Sequence, residues 1–345
     1  MSNSNPRKIK SAPRKYLLTT AKVLFAVALI AWIIKRGGLD PNALKVALEP
    51  KAFAIFTLLV FLQILMANAR WLVLLRGQGF PATTKQTLPL TFMGIFFNYA
   101  MPGSVGGDFV KGYYLAQEFP DRKLGAGVSV FMDRLIGFFI MVLSGSLVVL
   151  AFREQLEHDP RLVVIANGTL IITFIFILIL AVSLSRRLQT PIRYFARHLS
   201  KVPGHKQFEQ IYFAMHSYRY RVRELFFALV FSTVNQGLLI AFFYFAAQLL
   251  GETDIPVATF WFCIPVGLVA MAVPISPAGV GVGQAVFFFL FQATLGHPAQ
   301  VGSVGITLLQ LFQLQFGVLG AYFYMRRGKK IPNADSLELA NARAD

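Results

Sequence analysis

The chain has 345 residues, 56% of them hydrophobic and 14% charged, with a mean hydropathy of +0.59. Soluble domains carry about 25% charged residues, so there is too little polar surface here to coat a water-soluble body. The formal charge of +17 lies in loops and tails rather than in a basic, aromatic-studded module, which argues for anionic membrane headgroups and against nucleic acid.

Residues 1–16 form a basic tail with Arg7, Lys8, Lys10, Arg14 and Lys15. The apolar run at 17–34 follows, and it ends in Trp32 and Lys35-Arg36 without a small-x-small cleavage pattern. A bilayer core needs about 20 apolar residues per helix, so this run reads as a retained span and not a signal peptide. Residues 52–75 give a second span. Residues 88–101 are apolar but stop at Pro102-Gly103-Ser104-Val105-Gly106-Gly107-Asp108, after which a short helix runs over 109–118. Spans at 126–152 and 162–184 flank a short loop carrying Glu154, Glu157 and Asp159. A basic linker at 185–223 leads into a span at 224–250. Residues 260–273 stop at Pro274-Ile275-Ser276-Pro277-Ala278-Gly279-Val280-Gly281, a short apolar helix follows over 282–295, and a last span covers 299–325. Irregular backbone at membrane depth survives only when it is buried in protein or lines a cavity. The expected fold is therefore an all-α polytopic membrane protein with six full spans plus two re-entrant helical hairpins.

Positive charge orients it. The amino-terminal tail, the segment from Arg186 to Arg223 (with Glu209 as its acid) and the tail at 326–345 are expected to be cytoplasmic. The loops with Glu154 and Glu252 are expected outside, and the mixed loop at 35–51 is placed there by count. The first membrane repeat (17–152) and the second (153–325) then share one order, with hairpins entering from opposite faces. That is an inverted-topology repeat, which in transporters puts the substrate near the midplane between broken helices; proline kinks in ordinary helices are the alternative. The break residues are Pro102, Gly106, Gly107, Pro274, Pro277, Gly279 and Gly281.

Asp133 and Arg134 lie well inside a span, where a charge costs about 2.5–3.5 kcal/mol. Either they form a structural pair, with Asp108 and Lys111 as the obvious partners, or Arg134 holds a headgroup phosphate bidentately. Arg70, near the cytoplasmic end of its helix, either snorkels to the surface or has a functional role. The first break opens a helix whose free amides attract anions, unless Asp108 caps them itself. The Gly279-Val280-Gly281-Val282-Gly283 run lacks a surrounding βαβ unit, so it reads as a hinge and not as a dinucleotide loop. Gln284 follows that break directly, while Gln292, Gln310, Gln313 and Gln315 read as interhelical glue. The candidate substrate-binding residues are Arg134, Asp133, Lys111, Asp108, Asn98, Ser104, Ser276 and Gln284. No cofactor or metal is expected: Cys263 sits in an apolar run and the five histidines lack ligand spacing. In the linker, stripes around Arg193 and Phe208 fit helices in the headgroup layer, serving as a plain connection or recruiting anionic lipid.

The run from Asn98 to Lys111, Asp133-Arg134 with Gly137, and Pro274 to Gly281 together resemble the membrane domain of lysylphosphatidylglycerol synthases (the multiple peptide resistance factor) and its stand-alone relatives. The resemblance covers about residues 15–327 and implies a lipid-flippase fold with a central cavity. In the full-length synthases a separate cytoplasmic domain attaches the amino acid. Here the chain ends at Asp345, soon after the last span, so no aminoacyl transfer is expected. Many relatives carry Pro-x-Arg-x-Gly-Glu where this chain has Ser104 and Asp108, so the resemblance does not carry a headgroup role onto Ser104. The expectation is a non-enzymatic translocase of an anionic or polyprenyl-linked lipid in the bacterial cytoplasmic membrane, with both termini cytoplasmic. Membrane lipids are its partners, and self-association stays open. A small-solute or ion carrier, or a membrane-embedded transferase using a lipid carrier, are the alternatives, the latter short of outer loop for a sugar site.

Overall fold

The computed structural model describes residues 45–100, 106–184, 218–272 and 279–327. Among the described residues the chain is helical, with no strand. In chain order the helices are α1 (Pro50–Gly77), α2 (Thr84–Ala100), α3 (Gly106–Glu118), α4 (Lys123–Ala151), α5 (Pro160–Leu184), α6 (Val222–Leu249), α7 (Val257–Met271), α8 (Val282–Leu295) and α9 (Val301–Arg326). A single helical turn, Arg153–Leu156, joins α4 to α5. Hydrocarbon offers backbone groups no partner, so each apolar run must satisfy its own amides by coiling into a helix. Proline at the first helical position starts α1, where the missing N–H would have had no partner anyway.

Five helices, α1, α4, α5, α6 and α9, are long and apolar enough to cross a membrane. They match the expected spans at 52–75, 126–152, 162–184, 224–250 and 299–325. The expected span at 17–34 lies outside the described residues, as do most of the basic linker and both tails. The outer faces confirm the solvent for which the bundle is built. On α5, Val164 and Phe174 are 73% and 66% exposed, whereas a water-facing helix would put charge there.

The centre is an antiparallel pair. Phe56 of α1 meets Phe242 and Phe245 of α6 at ring-centroid distances of 4.7 and 5.0 Å. Beyond the other end of that contact, the Tyr218 hydroxyl donates to the Leu74 carbonyl at 3.0 Å. Around the pair, α2 lies on α3 and on α9, while α7 lies on α8 and on α4. Packings of α3 on α4 and of α8 on α9 complete the ring. At one end of the bundle α1 ends, α2 begins, α3 ends and α4 begins. Arg122 donates there to the Gly79 carbonyl at 2.5 Å, and Arg327 pairs with Glu118. At the opposite end α6 gives way to α7, and α8 to α9. There Glu252 accepts from the amides of Gln300 and Val301 at 2.7 and 3.0 Å, capping α9.

The short helices are longer than the sequence suggests at their outer ends. α2 begins at Thr84 and α7 at Val257, each a turn or so before the apolar run. α3 begins at Gly106, so Asp108 is its third residue and not its cap. Gly107 is needed for a close approach. A Cβ there would strike the Gly94 carbonyl, and its amide donates to Asn98 Oδ1 at 2.9 Å, stitching α3 to α2. Residues 101–105 and 273–278, which contain Pro102, Ser104, Pro274, Ser276 and Pro277, lie outside the described residues. Gly279 and Gly281 take positive φ, 72° and 83°, as the chain turns into α8.

Candidate functional site

Between α1, α2, α3, α4, α6 and α9 lies a cavity of about 290 Å³. Its charged wall is Arg70, Asp108, Lys111, Asp133 and Arg134, and its neutral polar wall is Gln63, Thr91, Asn98, Asn235 and Gln313. Five of the eight nominated residues, Arg134, Asp133, Lys111, Asp108 and Asn98, thus share one cavity.

Two of the cations are neutralised in place. Arg70 Nε donates to Asp133 Oδ1 at 2.6 Å, with side chains only 12% and 6% exposed. Its Nη1 reaches Ser232 Oγ of α6 at 3.3 Å. Arg70 is therefore drawn inward and does not snorkel, and Asp133 takes Arg70 as its partner where the sequence suggested Lys111. Gly137 makes this geometry fit, because a Cβ there would lie 2.6 Å from Arg70 Nη1. Asp108 pairs with Arg134, as one of the two sequence-level alternatives had it, and its carboxylate is turned to α4 instead of capping α3.

Lys111 has no ion pair among the described residues. Its ammonium sits 5.2 Å from the centroid of the Trp71 ring, a contact that tolerates a cation with little water. The indole is fixed in turn, donating to Ser129 Oγ at 3.2 Å. Three cations against two carboxylates leave one positive charge in excess, and Lys111 is the one that carries it into the cavity. An anion entering there gains a partner without breaking an existing pair.

Gln284 lies elsewhere. Its Oε1 accepts from the Gly281 amide at 2.7 Å, and its Nε2 donates to Gln310 Oε1 and Thr307 Oγ1 at 2.8 and 3.1 Å. The Tyr99 hydroxyl donates to the Gln310 carbonyl at 2.9 Å, so α9 ties the end of α2 to the start of α8. Gln63 and Asn235, which the sequence did not single out, line the cavity, and Gln313 belongs there too. Their signal is faint but real: an amide in the middle of an apolar window. Among the described residues no cluster of His, Cys, Asp and Glu could hold a metal.

Apolar spans around a charged internal cavity define a multi-pass helical membrane protein. The chain belongs to the family of the lysylphosphatidylglycerol synthase transmembrane region, whose model matches residues 20–321. It is also 28% identical over 145 residues to a UPF0104 membrane protein of Methanocaldococcus jannaschii. That match takes in 40% of this chain and 42% of the relative, so the chain spans less than half of the relative's length. No solved structure matches.

Proposed function

We propose that this protein is a lipid translocase for an anionic or polyprenyl-linked lipid, acting without aminoacyl transfer or ATP. The observation that carries the reading is the position of Arg134. It lines the cavity, yet half of its side chain is exposed (52%), one turn from Phe131, whose ring is 47% exposed on the apolar exterior. A polar cavity that reaches a lipid-facing surface suits an amphiphile whose headgroup enters while its chains stay in the bilayer. A soluble ion has no need of such an opening.

The mechanism follows from solvation. A charged headgroup crossing bare hydrocarbon loses its water at a cost of many kcal/mol. Lys111, held by Trp71, offers the phosphate an unengaged cation, and the Arg134–Asp108 pair at the rim can exchange a carboxylate for a phosphate oxygen. Arg70–Asp133, deeper and fully engaged, braces α1 against α4. The reading includes an inverted repeat, supported by the matched packings: α2 on α9 answers α7 on α4, and α2–α3 and α7–α8 open towards opposite ends. It also includes both termini in the cytoplasm of a bacterial inner membrane, membrane lipids as partners, and self-association as an open property. Reconstitution tests it: in liposomes without ATP, inner-leaflet fluorescent phosphatidylglycerol should move to the outer leaflet and be reduced by external dithionite faster than in empty vesicles. If no lipid moves while a soluble anion does, the protein is a solute carrier.

A further inference from the structure

α5 contributes nothing to the charged cavity. It is fastened to α4, where the Ser146 hydroxyl lies 2.7 Å from that of Thr173 and donates to the Thr169 carbonyl at 3.3 Å. Its neighbouring face stands off the α7–α8 hairpin and forms a crevice in two lobes that meet at Ile165. The first lobe, about 790 Å³, is walled by Val286 and Phe289 of α8, with Arg161 on the first turn of α5 at its mouth. The second, about 200 Å³, runs past Gly168 and Ile172 to Pro265 and Val269 of α7. Gly168 keeps it wide, since a Cβ there would meet nothing within 4 Å. Arg161, Ile165, Gly168 and Ile172 follow one another at helical spacings of four, three and four residues, so they share a stripe of α5. That stripe descends about 16 Å at 1.5 Å per residue, close to half of a hydrocarbon core about 30 Å thick.

We propose that this crevice binds one acyl chain of a phospholipid, with the phosphate at Arg161 and the chain lying along α5 to Ile172. The lipid is a resident one, held beside the hairpin and apart from the charged cavity. Apolar walls give water no partner, and the polar group lining the second lobe, the Thr169 hydroxyl, already donates to the Ile165 carbonyl at 2.8 Å. Burying such walls against a chain is favourable in proportion to the apolar area covered. At the mouth, Arg161 has no ion pair among the described residues. Asp159 beside it is engaged, accepting from the Arg161 amide at 2.8 Å. A guanidinium matches phosphate oxygens bidentately, and every phosphatidyl lipid carries that phosphate, so the site reads the chain and not the rest of the headgroup. On the topology given above, the lipid belongs to the outer leaflet. Its chain supports α7 and α8 along the line where α5 stands off them.

The test follows lipid carried by the full chain. Protein in detergent with added dipalmitoyl phosphatidylcholine is weighed by native mass spectrometry, and its melting is followed in parallel. The parent should retain the lipid and melt higher with it than without. Gly168→Trp should lose the lipid and melt no lower than the delipidated parent, because the indole takes the place of the chain. Gly168→Ala, which leaves the crevice open, should keep the lipid. Arg161→Gln, at an exposed position, should weaken retention, and Lys111→Gln should leave it unchanged. A parent that carries no lipid overturns the proposal, as does full retention in Gly168→Trp or in Arg161→Gln. Loss in Lys111→Gln but not in Gly168→Trp would place the lipid in the charged cavity, overturning the proposal and leaving the translocase reading intact. A lipid-free dimer that Gly168→Trp converts to a monomer also overturns it, since a second copy of the chain then covers the crevice.

Discussion

Arg70 and Asp133, sixty-three positions apart in the chain, meet at 2.6 Å between α1 and α4 and reach α6 through Ser232. Three helices are thus fastened by one buried ion pair. Removing one partner leaves a charge without compensation, which costs roughly 3–5 kcal/mol. Arg70→Ala and Asp133→Ala should each lower the melting temperature in detergent sharply. Arg70→Met with Asp133→Leu should recover much of the loss, because two apolar side chains leave no orphaned charge.

Arg134 is expected to behave differently. Its side chain is half exposed at the mouth of the cavity, and its partner Asp108 is less enclosed than Asp133, so losing Arg134 leaves a less deeply buried carboxylate than losing Arg70 does. Arg134→Gln should melt close to the parent and lose lipid exchange. Equal loss of stability and transport would place it with Arg70 as a brace.

Gly137 supplies the room that Arg70 occupies. Gly137→Ala should destabilise the parent by about 1–3 kcal/mol, the usual cost of overpacking. In an Arg70→Met background the penalty should shrink, since contacting residues are not additive. A penalty of the same size in both backgrounds would mean the clash lies elsewhere.

Topology is tested with single cysteines in a Cys263→Ala background, Cys263 being buried. Asp121 sits in the exposed turn between α3 and α4, and Thr253 in the exposed turn between α6 and α7. Asp121→Cys should react with impermeant maleimide from the cytoplasmic side and Thr253→Cys from the outer side. Labelling of both from one side would contradict the inverted repeat.

The spans were legible in the sequence because hydrocarbon imposes one rule on every residue of a run, and runs of that length have a single explanation. Asp133 and Arg134 were conspicuous for the same reason, as charges where charges are costly. What hydropathy does not carry is the pairing. That Asp133 would take Arg70 and not Lys111 depends on how α1 crosses α4 and on the missing side chain at Gly137, neither of which a linear pattern records. Gln63 escaped notice because an uncharged amide barely lowers the hydropathy of its window. Gln284 drew attention by its place after a break, yet its amide closes that break onto Gly281 and α9.

The central claim is that an intramembrane cation carries an anionic headgroup across, and Lys111 is the cation not engaged in an ion pair among the described residues. Lys111→Gln keeps most of the side-chain volume and removes the charge. The decisive measurement is the leaflet-exchange rate of fluorescent phosphatidylglycerol and of fluorescent phosphatidylcholine in liposomes holding equal amounts of parent or Lys111→Gln protein. Loss of one charge–charge contact at roughly 1–4 kcal/mol predicts phosphatidylglycerol exchange slowed about tenfold or more, with phosphatidylcholine altered less than about twofold. Equal slowing of both lipids, or no slowing of either, would contradict the account.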